Sequence, residues 1–185
     1  MNRSLRSLSI VASLAAAATI VLAQPAAAAT AAELTRDAQA ALKSLSAKNA
    51  GAKAIGKDAV AVLVFPSVVK AGLGVGGQSG EGVLFRGGKA SAYYNTTGAS
   101  VGLQAGAQKY GYAMFFLSEE TLKSLDKAEG FEVGVGPSVV IADEGFAKAT
   151  TTTTVKDKIY AFIFDQKGAM AALGIQGNKI TKIKK

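Results

Sequence analysis

The chain contains no cysteine and no histidine. Without cysteine there is no disulfide, no thiolate metal site, no thiol nucleophile and no acylated N-terminal cysteine of the bacterial lipoprotein kind. Without histidine the commonest general base and the commonest metal ligand are missing. A Ser-His-Asp hydrolase is therefore excluded, and a zinc enzyme has little to be built from. Acidic residues are scarce as well, 13 against 21 Lys and Arg. Two carboxylate pairs remain as an enzymatic option, Glu119-Glu120 and Asp143-Glu144. Both stand in a helix-start or turn context, where acids serve as caps and solvated charges. The sequence thus predicts a protein that is not an enzyme, with no metal and no cofactor.

What is present begins with a targeting pattern. Arg3 and Arg6 precede an apolar run over residues 8–23, interrupted by Ser9, Ser13 and Thr19, and Ala26 to Ala29 follow Gln24-Pro25 at A-x-A spacing. Such an order predicts a signal peptide, residues 1–29, cleaved after Ala28 or Ala29. The run is shorter than the roughly 20 residues of a spanning helix. Residues 30–185 are then one exported domain, periplasmic or secreted, large enough to bury a core. Removing Arg3 and Arg6 leaves 19 basic and 13 acidic residues, a net charge of +6. That excess favours anionic surfaces such as phospholipid headgroups. Nucleic acid is a poor partner, because no basic run is interleaved with stacking aromatics.

Residues 30–54 read as a helix. Thr30 and Glu33 make a capping box, and Leu34, Ala38, Leu42 and Leu45 recur on one face. That stripe either packs on the domain or lies on a membrane as an amphipathic helix. Asn49-Ala50-Gly51 is a place for the helix to end or kink. From there the period becomes that of short strands: residues 60–65, stopped by Pro66, then 70–77, 82–86 and 89–94. Arg86-Gly87-Gly88-Lys89 reads as a two-residue hairpin that sets two cations side by side. Asn95-Thr96-Thr97-Gly98 reads as a turn, and residues 99–108 and 112–117 as longer strands. Ser118 caps a short helix over residues 119–127. Strands resume at 131–136, 138–142, 150–155, 159–165 and 180–183, with Thr150 to Thr154 as an exposed β edge. Ala61, Ala71, Leu73, Gly74 and Gly77 recur 100 residues later as Ala161, Ala171, Leu173, Gly174 and Gly177, which reads as a weak internal repeat. The expected fold is α+β: the N-terminal helix and one short helix packed on a strongly curved, mainly antiparallel, barrel-like sheet.

Within the strands, Gly72, Gly74 and Gly76 alternate, so they are expected to share one bare face open to curvature, a neighbouring element or a ligand. Gly74-Val75-Gly76-Gly77 partly echoes a dinucleotide fingerprint. It runs into another strand rather than a helix, however, and no Lys-Ser or Lys-Thr follows it.

The runs FPSVVKAGLGVGGQSGEGVLF, YYNTTGAS, VGLQAGAQKYGYAMFF and GFEVGVGPSVVI closely resemble the SYLF-domain family, whose eukaryotic members bind phosphoinositides and, in fungal relatives, actin. The resemblance spans about residues 43–183 and suits a bacterial exported branch, since an export signal is present and no SH3 or FYVE domain accompanies it. It implies a membrane-associated lipid-binding domain, with the N-terminal helix and basic surface residues facing the bilayer and anionic phospholipid as the ligand. Candidate headgroup contacts are Lys70 beside the glycine block, Arg86 and Lys89 at the hairpin, and Lys109 with Tyr110. Arg clamps phosphate through two hydrogen bonds, Lys acts as a point charge, and Tyr suits an apolar–wet boundary. The alternative is an envelope interaction protein that binds a protein partner through a sheet edge or the glycine face.

Overall fold

A computed structural model describes residues 29–126, 130–142, 158–168, 175 and 177–185, with residues 100–105 described as backbone only. The predicted signal segment up to residue 28, the Asp143-Glu144 pair, the Thr150 to Thr154 run and part of the second repeat copy lie outside the described residues.

The N-terminal helix forms where its caps and stripe require. In α1 (Ala31–Lys48) the Thr30 hydroxyl accepts from the Glu33 amide at 3.3 Å, while the Glu33 carboxylate accepts from the Thr30 amide at 3.0 Å. The backbone hydrogen bond from Thr30, then that from its hydroxyl, hold the Glu33 carboxyl below the usual range. Asn49 ends α1 in an extended conformation and caps α2 (Ala50–Asp58), accepting from the Ala52 amide at 2.9 Å. The single expected helix is therefore two, broken where an Asx side chain can offer the backbone an alternative to the helical ladder. Leu34, Ala38 and Leu45 are buried, and each leucine contributes about 1.5–3 kcal/mol by that burial. The apolar stripe is consumed by the domain, so it is not the face that lies on a membrane.

Two strands dominate the sheet, β1 (Ala61–Arg86) and β2 (Lys89–Phe116), joined by Gly87 and Gly88 at φ 53° and 77°. These positive values at both central residues are what the Gly-Gly hairpin predicts. The four short strands expected around the turn are continuous instead. Pro66 does not stop β1; it falls at a register shift between Phe65 and Val68, where its missing N–H is tolerated. Asn95-Thr96-Thr97-Gly98 is not a turn: Asn95, Thr96 and Thr97 pair with Thr181, Ile180 and Lys179 of β6 (Lys179–Ile183). Local turn chemistry lost there to ladder hydrogen bonds on both sides.

The remaining elements flank β2. β5 (Ile159–Gly168) pairs with its second half, β4 (Val139–Ala142) lies parallel on β5, and β3 (Phe131–Glu132) pairs with β6. The order is β3-β6-β2-β5-β4 with β1 paired to β2, a mixed but mainly antiparallel sheet curled into a half-barrel. Gly134 and Gly136, at φ 101° and 102°, turn the chain where a longer strand was expected after Phe131. Between β2 and β3, Ser118 caps α3 (Glu119–Lys123), which tightens into a 3₁₀ turn over Ser124–Asp126. No described helix is long and apolar enough to cross a membrane.

The second half of β2 is buried on both faces. Tyr110, Tyr112, Met114 and Phe116 point into the half-barrel with Leu63, Phe65, Phe131 and Ile180. Ala113, Phe115 and Leu117 point outward under α1 and α2 with Phe162 and Tyr160. The β1-β2 hairpin also doubles back on itself. A Cβ at Gly80 would lie 2.6 Å from the Ser67 carbonyl oxygen, and one at Gly82 2.6 Å from the Phe65 ring. Glycine is required there because the two halves of β1 approach closely.

Candidate functional site

The candidate cations fall into separate groups along the hairpin. Arg86 and Lys89 pair across the tip, and the Arg86 guanidinium donates to the Glu119 carboxylate at 2.5 Å, beside the start of α3. Lys70 and Lys109 lie midway along the ladder, opposite Gln108 and Val69. The seven residue steps of β2 from Lys109 to Phe116 span roughly 23 Å. Arg86 and Lys89 therefore do not share a surface with Lys109.

Side-chain direction divides the rest. Lys70 and Tyr110 face inward, 8% and 1% exposed, so neither is the surface contact expected of it. They belong to a polar strip inside the half-barrel. The Tyr110 hydroxyl donates to Gln78 Oε1 at 2.7 Å, the Gln78 amide donates to Asn178 Oδ1, and the Tyr112 hydroxyl donates to Thr96 Oγ1 at 2.7 Å. Tyr112 also stacks on Phe65, ring centroids 4.6 Å apart. Burial pushes the Tyr110 hydroxyl up to about 12, and it raises Tyr112 and Tyr94 as well.

A pH dependence follows from those three shifts. A tyrosine whose folded pKa lies above its unfolded value near 10 keeps its proton in the fold while the unfolded chain loses it. Its contribution to stability is complete below pH 10 and is lost as pH rises through about 12. Thermal melts are expected to show a falling midpoint across that window, with a shallower fall in Tyr110→Phe. A wild-type midpoint flat from pH 10 to 12 would contradict the burial of these hydroxyls.

The outward face carries a different set. Val69, Lys109 and Lys167 form one row across β1, β2 and β5, all exposed. Two lysines directly opposite each other destabilise an antiparallel pair by about 0.2–1 kcal/mol. That repulsion disappears when an anion sits between them. Towards the bend the same face continues through exposed Ala71 and Ala107 to Leu73. Leu73 is 83% exposed, Val75 67% and Val69 51%. These side chains stand out because the chain turns sharply between them. Gly74 has φ 73° and falls out of the ladder at a register shift. A Cβ on Gly72 would run into the Gly76 backbone.

Gly72, Gly74 and Gly76 consequently do not form one bare face. They make a bend that lifts Leu73 and Val75 into solvent. The residues that sequence reasoning passed over are Val69, Leu73, Val75 and Lys167. Leucine and valine alternating with glycine over residues 72–76 was the available signal for Leu73 and Val75; Val69 stands outside that pattern. Lys167 had none, since only the β2–β5 register brings it to Lys109.

The carboxylates offer little by comparison. Glu119 and Glu120 are exposed in the first turn of α3, and Glu119 is paired with Arg86. Among the described residues no three acids converge.

Residues 97–185 match the model of a family described as Ysc84, Las17-binding protein actin regulator. No curated protein matches the chain.

Proposed function

From the membership of residues 97–185 in the Ysc84 (SYLF) family, we propose that this is an exported, non-enzymatic lipid-binding protein that contacts anionic phospholipid at the cell envelope. The observation that carries the reading is the outward face of the bend. Two facing lysines, Lys109 and Lys167, lie beside a row of exposed aliphatic side chains ending at Leu73 and Val75. Exposed apolar groups rimmed by cations suit a bilayer interface, where the aliphatic groups enter the acyl boundary and the ammonium groups meet phosphate. Export rests on the Arg3, Arg6 and residues 8–23 pattern.

Flotation with vesicles tests this. Binding is expected to vesicles containing phosphatidylglycerol or cardiolipin at low salt, and to weaken at high salt. Each lysine near an anionic surface contributes about 1 kcal/mol. Lys109→Ala with Lys167→Ala should therefore weaken binding about 30-fold. Arg86→Ala with Lys89→Ala, at the far end of the ladder, should change it little. Equal effects of the two double variants would place the contact elsewhere, and no binding to anionic vesicles would remove the reading.

A protein partner is the second reading, favoured by the Las17-binding description of the family. The segment of β2 between its β6 and β5 pairings has β1 on one side and, among the described residues, no strand on the other. Pull-down of an envelope protein by a chain that ignores vesicles would support it.

A further inference from the structure

A cleft of about 580 Å³ opens where α1 gives way to α2, against the β4–β5 pair. Its volume falls within the range of small-ligand sites, about 300–1,000 Å³. Two local features create it. Asn49 breaks the helix just after Leu45 has packed on the sheet. On the facing wall, Asp165 and Gln166 of β5 stand opposite Tyr110 alone, a bulge that bends the strand.

Asp165 holds the bulge at φ 51°, and among the described residues it is the non-glycine with positive φ. A non-glycine residue kept in this region stores backbone strain, and such positions cluster at ligand sites. Beside it the Phe164 ring lies directly over Gly111, where a Cβ would run into it. That close approach sets the ring as part of the cleft wall.

The lining is divided by chemistry. Leu45, Ile141, Ile163 and Phe164 make an apolar wall, and Ile141 is 43% exposed although apolar. At the rim, the Lys48 ammonium and the Asp165 carboxylate face each other at 3.9 Å, both exposed. An exposed pair at that separation contributes little to stability, so it opens to a ligand at small cost. Together these features offer an aliphatic slot with one positive and one negative group at its mouth.

We infer that this cleft binds a single-chain zwitterionic amphiphile of the lysophosphatidylethanolamine class. The acyl chain lies along Leu45, Ala142 and Phe164, the phosphate meets Lys48, and the ammonium meets Asp165. The choice of a lipid rests on the reading above, but the site is separate from the Lys109–Lys167 face, and the two fail independently.

Isothermal titration with dodecanoyl lysophosphatidylethanolamine below its micellar concentration tests the inference, with lysophosphatidylglycerol of the same chain length as comparison. Saturable binding near one equivalent is expected. Asp165→Asn, which tolerates the same backbone conformation, should weaken the ethanolamine ligand about fivefold, the loss of one exposed ion pair, and leave the glycerol ligand unchanged. Ile141→Trp, which fills the slot from its exposed side, should abolish both while the melting midpoint stays near wild type. Neither variant should weaken vesicle flotation. Absence of wild-type binding, undiminished binding by Ile141→Trp, or equal weakening of both ligands by Asp165→Asn would each overturn it. Lysolipid binding without vesicle binding would remove the surface reading and leave the cleft standing; the reverse would remove the cleft alone.

Discussion

Phe115→Ala is expected to destabilise the domain by about 3–5 kcal/mol, the usual range for truncating a fully buried phenylalanine. Phe115 is 1% exposed on the outward face of β2. It meets Phe162 edge-on with ring centroids 5.5 Å apart, and α2 rests Gly56 on it, where a Cβ would lie 3.4 Å from the ring. The ring therefore joins β2, β5 and α2, and its truncation leaves a cavity where the three meet. Phe115→Leu keeps most of the volume and should cost about 1 kcal/mol. Urea titration of both variants measures the difference. A loss below 1 kcal/mol for the alanine variant would mean that α2 does not pack on the sheet as described.

The second large effect comes from adding one methyl group. Gly82→Ala would place a Cβ 2.6 Å from Phe65 Cδ1 and 2.7 Å from the Val64 carbonyl oxygen. The ring sits in a stack with Tyr112 and the oxygen belongs to a paired strand, so neither yields freely. Overpacking of this kind costs about 1–3 kcal/mol, and the upper end is expected because backbone is involved. Gly77→Ala is the contrast: its Cβ would find the Gly98 carbonyl oxygen at 3.9 Å, an ordinary contact. It should be neutral or slightly stabilising, because alanine restricts the unfolded chain. Equal unfolding midpoints for the two variants would refute the close approach of the two halves of β1.

Much of the local structure was legible without coordinates, and the reason is range. The Thr30–Glu33 capping box, the break at Asn49 and the Gly87-Gly88 turn are settled within four or five residues. Capping and turn chemistry act over that distance. The curved, mainly antiparallel sheet was legible too, since glycine-rich strands separated by a tight turn have few other ways to bury their apolar residues. Asn95-Thr96-Thr97-Gly98 was misread because its turn propensity competes with β6, some 85 residues further on (Thr96 pairs with Ile180).

The candidate site was less legible because it depends on parity and register. Lys70 and Lys109 look equivalent in the sequence, yet one faces the interior with Gln108 and the other faces solvent with Val69. Pro66 and Ser67 lie in the register shift that precedes this alternation, and an inserted residue reverses which side chains point in. Tyr110 was expected at a wet boundary and is instead bonded to Gln78 inside the half-barrel. Nothing near Tyr110 in the chain announces Gln78, because the contact requires the hairpin to fold in half.

By itself the sequence determined the chemical repertoire: no thiol or imidazole, an excess of cations, and a glycine-rich hairpin. Composition and short-range propensity settle such things before any tertiary contact forms. The tertiary structure decided where the glycines bend the hairpin, which lysines share a face, and that a cleft lies against the bulge at Asp165. Those outcomes rest on strand register and close backbone approach, which form only when segments far apart in the chain pack together.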